Sequence, residues 1–322
     1  MSPATPGRRS GRRRGAPAKA RAADQGCPTA TGAGEGLVIA VNPSGGSADE
    51  ELVAALRRGL PGAEVIELSD PSELTATLQR AARRPDTVAL GVVGGDGTIN
   101  AAAGVASAEG LPLVPIPGGT LNHLACDLGL ADVDAAIDAV HQGRLAAVDL
   151  PTIAGRPFLN TAAFGAYPEL VELRERLEGR LGKWPAMAVG AAKVLRNGTP
   201  IDVEIDGEPL RLWMIFVGNC EYDPPGFAPS KRQRLDDGSL DVRCLDASHP
   251  WSRTRLVLGL LTGRLGRSPL YRQWTTDRLI VRSVGAPLRL ACDGETFQGD
   301  REVEVAKDGT TLALQCAAEV IG

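Results

Sequence analysis

The chain has 322 residues, of which 43% are hydrophobic, and this is enough for two domains with a hydrophobic core. The formal net charge is −4, but the first 23 residues hold seven basic residues and no acidic ones, so the remainder carries −11. An acidic body argues against binding to nucleic acid. Six scattered cysteines without a C-x-x-C pair, and only three histidines, argue against a zinc site or a disulfide framework.

Residues 1–36 are rich in arginine, glycine, proline and alanine, and we expect a disordered basic tail there. Such a tail is either inert or in contact with anionic lipid headgroups. No apolar segment that could form a signal peptide follows it, and no apolar run approaches the ~18 residues needed to span a bilayer. We therefore expect a cytoplasmic protein.

The first half of the chain alternates between apolar strands and amphipathic helices. Strand patterns occur at 37–41, 63–69, 87–93 and 111–117, and helical patterns at 49–59, 72–83, 98–108 and 121–128. This alternation predicts an α/β domain with a parallel sheet over residues 37–148.

The second half of the chain has a different pattern. Four Asp-Gly pairs separate short apolar runs after residue 148, and Asp-Gly between strand-like runs is typical of hairpins. We predict a β-rich domain, a sandwich, over residues 149–302. One helical stretch is expected within it, at 169–196.

Three Gly-rich turns follow strands of the predicted sheet, at 42–46, 94–98 and 118–120. In α/β sheets, ligands bind at the carboxyl ends of parallel strands. Glycine lets backbone N–H groups approach a phosphate, and the N-terminus of the following helix favours an anion. The second turn, GGDGT, contains no lysine and is not a Walker A loop. On local chemistry alone, a plain strand-to-helix turn in which Asp96 caps its own helix is an equally good interpretation.

Seven segments of the chain together resemble the diacylglycerol kinase catalytic-domain family, which includes bacterial soluble lipid kinases, sphingosine kinases and ceramide kinases. In order, they are VNPSGG, GGDGTIN, PGGTLN, NTAAFG, VGN, LDDGSLDV and CDGE. The resemblance extends over residues 37–320. It implies an ATP-dependent lipid kinase that uses Mg²⁺, with its active site in the cleft between two domains. It also implies that residues 303–322 return to the first domain.

The resemblance implies roles for individual residues. ATP would be bound by Asn42, Ser44, Ser69 and Thr120 and by the turn Gly94, Gly95, Asp96, Gly97, Thr98, Ile99 and Asn100. Asp96 and Glu295 would be catalytic, with Glu295 as general base on the acceptor hydroxyl. A structural Mg²⁺ would be held by Asp237 and by the backbone carbonyls around Arg234 and Ser239.

The triplet DGE occurs twice, ending at Glu208 and at Glu295. Both triplets are typical of hairpin turns, so the local sequence does not separate them. Their order along the chain does, because the base of the family follows the segment that ends here at Asp241. Only Glu295 meets this condition.

His123 stands where many members of the family have an aspartate. Asp127 lies four residues later, on the same helical face if the helix continues. We hypothesise that Asp127 supplies the missing carboxylate or pairs with His123. The alternative is that His123 is a polar residue that packs near the cleft.

The resemblance further implies a lipid substrate at a membrane surface, and hence an enzyme peripheral to the inner face of the membrane. Two alternatives remain. One is a kinase of a soluble substrate, like the NAD kinases, which also contain GGDGT. The other is a catalytically impaired, lipid-binding regulatory protein.

Overall fold

The computed structural model describes residues 18–23, 29–30, 32–42, 47–119, 122–165, 199–223, 231–262 and 264–321. The predicted helix at 169–196, most of the basic tail, and the predicted ATP contacts Ser44 and Thr120 lie outside these residues.

Helices and strands are numbered here in chain order within the described residues. The α-helices are α1 (Ser47–Gly59), α2 (Leu74–Ala82), α3 (Asp96–Glu109), α4 (His123–Asp127), α5 (Val133–Gln142) and α6 (Ser252–Thr262). The strands are β1 (Arg21–Ala22), β2 (Leu37–Val41), β3 (Glu64–Glu67), β4 (Ala89–Gly94), β5 (Leu113–Pro117), β6 (Leu145–Asp149), β7 (Thr152–Ile153), β8 (Arg156–Pro157), β9 (Thr161–Gly165), β10 (Ile201–Ile205), β11 (Glu208–Asn219), β12 (Tyr222–Asp223), β13 (Lys231–Arg232), β14 (Leu240–Asp246), β15 (Tyr271–Thr276), β16 (Arg278–Ser283), β17 (Arg289–Cys292), β18 (Glu295–Gln298), β19 (Glu302–Ala306) and β20 (Thr311–Gln315).

Seven of the described strands form a mixed sheet in the spatial order β3-β2-β4-β5-β20-β6-β1. Strands β2, β3, β4, β5 and β20 run parallel, β6 runs antiparallel to β20, and β1 pairs antiparallel with β6. Every residue of β2 is buried and apolar, as a strand covered on both faces requires. The carboxyl ends of β2 to β5 consequently lie along one edge of the sheet.

Helices cover both faces of this first sheet. Helices α1 and α5 pack on one face through Leu56 and Ile137, and α2 and α3 pack on the other through Leu78 and Ala102. The predicted α/β class is confirmed, although the sheet is mixed rather than wholly parallel. Helix α5 was not predicted from the sequence. It is capped at its start by Asp132 and at its end by Gly143, which has the left-handed conformation. Within the described ranges, no helix combines the length and the apolar character needed to cross a bilayer.

Eleven other described strands form one antiparallel sheet. Strand β11 connects the parts of this sheet. Its first half pairs with β10 and its second half with β9, while β14 pairs along the other edge of β11. The sheet curls so that Phe164, Ile215, Leu279 and Leu290 meet in one core. The β-rich second region is therefore confirmed, and the predicted sandwich is a single hydrogen-bonded sheet that closes around its own core.

The chain crosses between the two sheets twice within the described residues. It leaves the first sheet between β6 and β7, and it returns between β19 and β20. The two crossings touch, since the Leu150 N–H donates to the Thr310 carbonyl at 3.0 Å. Strand β19 still belongs to the second sheet, so the return occurs after Ala306, and β20 enters the first sheet between β5 and β6.

Part of the predicted disordered tail is ordered, which corrects that expectation for residues 18–23. Strand β1 pairs with the edge of β6, and Ala18 and Ala20 are 1% and 0% exposed. Arg21 also contacts Asp236 at 3.1 Å. Residues 18–23 read AKARAA and contain no β-branched or large apolar residue, so no strand signal was visible for this sheet edge.

Candidate active site

The turn after β4 leads directly into helix α3, which begins at Asp96, two residues earlier than predicted. Gly95 is the residue that precedes the helix, so the N–H groups of the first turn point out of the strand edge without partners inside the helix. A side chain at Gly94 would place its Cβ 2.6 Å from the Cβ of Thr98, which is closer than real atoms approach. Only glycine allows the helix to start this close to the strand.

A second Gly-rich turn, after β5, lies against the first. The Gly118 N–H donates to the Gly94 carbonyl at 3.0 Å. A Cβ on Gly119 would lie 2.6 Å from the Cα of Gly95, so the two turns touch backbone to backbone. Asn122 closes this second turn by accepting from the Gly119 N–H (2.9 Å) and donating to the Gly119 carbonyl (2.7 Å). Two predicted motifs therefore form one backbone surface.

The Asp96 carboxylate is half-buried beside this surface. It accepts from the backbone N–H groups of His123 (3.2 Å) and Leu124 (3.3 Å) and from the side-chain amide of Asn160 (3.4 Å). Asp96 thus caps the start of α4 rather than its own helix, which corrects the simple-turn interpretation. Its described hydrogen bonds are long and come from neutral donors, so the carboxylate keeps the capacity to bind a hard cation.

Two asparagines flank the turn with unused acceptors. The Asn42 amide donates to Thr98 Oγ1 at 3.0 Å, and the Asn100 amide donates to the Pro157 carbonyl at 3.3 Å. The Oδ1 atoms of Asn42 and Asn100 are buried and find no hydrogen-bond donor among the described residues. Buried acceptors are normally satisfied, so these oxygens fit a ligand that offers hydroxyl or amine donors.

Arg232, a buried arginine that was not predicted to be part of the site, lies behind Asp96. Arg232, from β13, donates to Asp127 Oδ2 (2.8 Å), to the Leu159 carbonyl (2.6 Å) and to Asn160 Oδ1 (3.0 Å). Its side chain is 0% exposed. The structure therefore pairs Asp127 with Arg232, and the hypothesis of an Asp127–His123 pair is not supported by the described contacts. The exposed side chain of His123 lies at the start of the same short helix.

The second DGE hairpin, which ends at Glu295, lies with its Asp293 beside the GGDGT turn. Asp293 and Gly294 have positive φ angles of 43° and 91°, as a tight two-residue hairpin turn requires. Asp293 is buried and accepts from the backbone N–H groups of Leu159 (2.7 Å), Asn160 (3.0 Å) and Thr161 (2.7 Å). Its carbonyl oxygen lies 3.8 Å from the position of a Cβ on Gly97. The hairpin from the second sheet thus packs against the Gly-rich turn of the first.

Burial raises the pKa of the Asp293 carboxyl to about 6. The three backbone N–H groups act in the opposite direction, and the nearby charge of Asp96 raises the pKa further. Glu295 itself is exposed at the start of β18.

The first DGE hairpin has similar backbone φ angles, but its aspartate lies in a different environment. Asp206 and Gly207 have φ angles of 50° and 90°, and Asp206 is exposed. Its carboxylate accepts only a long bond from the Ile280 N–H, at 3.4 Å, among the contacts described. The buried Asp293 therefore distinguishes the two triplets, where the local sequence did not.

The region around the first sheet matches a known family. The model of the diacylglycerol kinase catalytic domain matches residues 36–153. This part of the chain is therefore similar to a diacylglycerol kinase catalytic domain. This stretch contains both Gly-rich turns, Asp96 and Asp127, whereas Arg232, Asp293 and Glu295 lie beyond it.

Related proteins extend the similarity past this domain. A diacylglycerol kinase of Staphylococcus carnosus is 31% identical over 174 residues, covering 51% of this chain and 56% of the relative. A "probable lipid kinase YegS-like" protein of Pseudomonas fluorescens is 27% identical over 223 residues, covering 67% of this chain and 73% of the relative. The chain thus spans little more than half the length of the first of these.

The fold is also that of a solved structure. The crystal structure of a diacylglycerol kinase from Bacillus anthracis aligns with a TM-score of 0.63 at 18% identity, covering 88% of this chain and 98% of that one. At this identity the likeness concerns the fold, and it includes the second sheet as well as the first.

The predicted structural magnesium site does not fit the residues found at the crossings between the two sheets. The Lys307 ammonium donates to Asp149 Oδ2 (2.7 Å), to Cys220 Sγ (3.2 Å) and to Asp237 Oδ1 (3.4 Å). The carboxylate of Asp237 also accepts from two backbone N–H groups, and the Ser239 carbonyl accepts from the Cys220 N–H at 3.0 Å. A lysine, with its side chain 4% exposed, stands where a cation was predicted.

Cys220 does not change this conclusion. Burial raises the pKa of its thiol to about 12, so the sulfur stays protonated at neutral pH. Magnesium prefers oxygen ligands and would gain nothing from a protonated thiol. Asp237 therefore belongs with Asp149 and Lys307 to an ion-pair cluster at the crossings between the sheets, and the Ser239 backbone contacts this cluster.

Of the remaining predicted ATP contacts, Ser69 is exposed after the edge strand β3. It lies at the same edge of the sheet as Asn42 and the Gly94–Asn100 turn. Its contact with a nucleotide stays a prediction.

Proposed function

We propose that the chain is an ATP-dependent lipid kinase, which transfers the γ-phosphoryl group of ATP to a hydroxyl of a lipid such as diacylglycerol. The match to a kinase domain and the names of the relatives support the reaction class. One observation carries the proposal further. The Asp293 carbonyl, two residues before Glu295, lies 3.8 Å from the position of a Cβ on Gly97, and this supports a candidate base close to the candidate phosphate site.

The ATP phosphates bind at the paired Gly-rich turns. The first backbone N–H groups of α3 point out of the helix, and the helix dipole adds a partial positive charge at this end. The absence of side chains at Gly94, Gly95 and Gly119 keeps the backbone accessible to the phosphate oxygens. Asn42 Oδ1 accepts a donor from the nucleotide, which satisfies a buried oxygen that has no donor among the described residues.

Magnesium, bound with ATP, neutralises charge on the transferred phosphoryl group. Asp96 is the carboxylate that would hold it, because its described partners are neutral N–H groups at 3.2 to 3.4 Å. Asn160 positions this carboxylate and is itself held by Arg232 and Asp293.

Glu295 acts on the acceptor. Its carboxylate takes the proton of the lipid hydroxyl as the hydroxyl oxygen forms a bond to the γ-phosphorus. The bond between that phosphorus and the β–γ bridging oxygen breaks, and ADP leaves with the electron pair. The products are a phosphorylated lipid and ADP. Because the acceptor resides in a bilayer, the enzyme works as a peripheral protein on the inner face of the membrane.

The test is transfer of labelled phosphate from ATP to a panel of lipids that includes diacylglycerol, ceramide and sphingosine. The variants are Asp96→Ala and Glu295→Gln, and the matched control is Glu208→Gln in the other DGE hairpin. We expect turnover in wild type and in the control, with a loss of at least about 100-fold in the two active-site variants. Equal turnover in all four proteins contradicts the mechanism, and turnover with NAD but with no lipid favours the soluble-substrate alternative.

A further inference from the structure

One stretch of the second half is strongly basic. Between Asp246 and Asp277 the sequence has five arginines and no acidic residue. The formal charge of the chain is −4 and this stretch contributes +5, so all other residues together carry −9. Arg272 is paired with Asp246 at 2.6 Å, but Arg255, Arg264 and Arg267 are exposed. This stretch is therefore a positively charged region on a protein that is otherwise acidic.

The same stretch holds two of the three large apolar side chains that are exposed among the described residues. Trp251, which precedes α6, is 80% exposed, and Leu258 within α6 is 56% exposed. The Trp251 carbonyl accepts from the Arg255 N–H at 2.9 Å, so Trp251 is in register with the helix. Trp251, Arg255, Leu258 and Thr262 follow the spacing i, i+4, i+7 and i+11 and form one exposed stripe.

The opposite side of α6 anchors the helix to the second sheet. Leu256 is buried in a cluster with Trp213 and Phe216 of β11 and with Leu265. The fold thus uses the inner face of α6 and leaves the Trp251 face in water. A tryptophan that is this exposed and contributes no burial to the core suggests a surface that binds a partner.

The turn after α6 brings two more arginines beside the stripe. The Arg264 N–H donates to the Gly259 carbonyl at 3.0 Å, and a Cβ on Gly259 would lie 2.8 Å from Leu265 Cδ1. This close return keeps Arg264 and Arg267 next to the last turn of the helix. We call Trp251, Arg255, Leu258, Arg264 and Arg267 the docking face.

We infer that the docking face binds the surface of membranes that contain anionic lipids. The tryptophan ring and the leucine enter the headgroup boundary, and the guanidinium groups contact the lipid phosphates. The positive charge favours an anionic bilayer and disfavours pairing of this face with the same face of a second copy, because like charges would then meet. The purpose of docking rests on the proposed function, because a lipid kinase must reach an acceptor that stays in the bilayer.

The docking face is connected to the candidate active site by one strand. Strand β11 carries Trp213 beneath α6, and it ends at Asn219, whose amide donates to the Leu159 carbonyl at 3.0 Å. Leu159 is one of the residues held by Asp293. A protein seated on the docking face therefore presents the second sheet to the membrane through a rigid element.

The test is sedimentation of the full-length protein with vesicles of phosphatidylcholine and phosphatidylglycerol in equal parts, compared with vesicles of phosphatidylcholine alone. The charge variant is Arg255→Gln with Arg267→Gln, and its matched control is Arg58→Gln with Arg301→Gln, which removes the same charge from exposed positions elsewhere. The apolar variant is Trp251→Ala with Leu258→Ala, and its control is Val284→Ala, at a residue 72% exposed. The basic tail is present in every protein, so its contribution cancels.

We expect wild type to prefer the anionic vesicles. The charge variant should lose roughly 25-fold in partitioning, from two arginines at the surface. The apolar variant should lose at least about tenfold, from two apolar side chains. Both controls should lose less than about threefold. Absence of binding in wild type, or equal losses in variants and controls, overturns the proposal. So does an apolar variant that binds vesicles normally but changes the mass of the protein in solution, because the face would then join two copies.

Failure of docking and failure of kinase activity can be told apart. Turnover of a short-chain diacylglycerol dispersed in detergent does not require a vesicle, and docking variants should retain their wild-type kcat in that assay. Vesicle binding without turnover of any lipid would leave the docking face intact and remove the kinase proposal. Turnover in detergent without vesicle binding would support the kinase proposal and overturn the docking face.

Discussion

Arg232 and Asp127 form an ion pair 2.8 Å long directly behind the candidate active site. Arg232 also donates to Asn160 Oδ1, and the Asn160 amide reaches Asp96 at 3.4 Å. The carboxylate of Asp127 is therefore connected to Asp96 through Arg232 and Asn160. His123 stands where the family resemblance leads one to expect an aspartate, and we propose that Asp127 has a positioning role instead of a direct one.

Arg232→Lys tests this chain of contacts. A lysine ammonium cannot contact Asp127, the Leu159 carbonyl and Asn160 together, because only the planar guanidinium fork spans them. We expect kcat to fall at least about tenfold while the KM for ATP changes little, and the free energy of unfolding to fall by about 3 kcal/mol as the buried pair is disturbed.

The matched control is Arg278→Lys in the exposed pair with Glu304, which should leave both kcat and stability nearly unchanged. Asp127→Asn should lower kcat less than Arg232→Lys. Wild-type turnover and Mg²⁺ dependence in both Asp127→Asn and Arg232→Lys would remove the positioning role.

Asp293 gives the protein a defined pH dependence. Its pKa is raised from 3.8 to about 6 in the folded state. Between about pH 4 and pH 6 the unfolded chain releases this proton and the folded chain keeps it, so the contribution of Asp293 to the free energy of unfolding falls as pH rises. The full decrease is about 3 kcal/mol, and it is complete above about pH 6.

The measurement is urea unfolding of wild type and Asp293→Asn at several pH values from about 4 to 7. We expect the stability of wild type relative to the variant to be greatest near pH 4 and to decline through pH 6. The control is Asp206→Asn in the equivalent, exposed turn, which should run parallel to wild type. A difference between wild type and Asp293→Asn that stays constant with pH would show that the carboxyl titrates normally.

The sequence predicted those parts of the fold that follow from local periodicity. Strand–helix alternation placed β2 to β5, and glycine content placed the turns at 94–98 and 118–120, because apolar spacing and missing side chains are visible residue by residue. Helix α5 was missed although its Asp132 cap and terminal Gly143 are standard signals.

Long-range pairings were not predictable in this way. Arg232 and Asp127 are 105 residues apart, and Lys307 and Asp149 are 158 apart. Nothing local distinguishes a buried arginine or lysine from a solvated one, and charged residues are usually exposed. The two DGE triplets could not be separated for the same reason. They differ in that Asp293 is buried by a segment more than 100 residues away in the chain.

Lys307 leads to a prediction about metal dependence. Its ammonium lies among Asp149, Cys220 and Asp237 at the crossings between the sheets, so no divalent cation is needed there. Without nucleotide, EDTA should leave the Tm of wild type unchanged. Lys307→Ala leaves two carboxylates facing each other and should lower the free energy of unfolding by about 3–5 kcal/mol, whereas Lys231→Ala at an exposed position should not. A fall in the Tm of wild type on adding EDTA would restore the structural metal.

Gly119→Ala tests the backbone contact on which the phosphate site depends. Its Cβ would lie 2.6 Å from the Cα of Gly95, and backbone atoms cannot move aside as a flexible side chain can. The two turns must separate, which should destabilise the protein by about 1–3 kcal/mol and weaken ATP binding at least about tenfold. The control is Gly285→Ala, where an added Cβ meets nothing within 4 Å. Calorimetric titration with ATP and Mg²⁺ measures the affinity, and thermal unfolding measures the stability. If Gly119→Ala binds ATP as tightly as Gly285→Ala does, the nucleotide phosphates do not rest on the paired turns, and the site must be sought elsewhere along the strand edge.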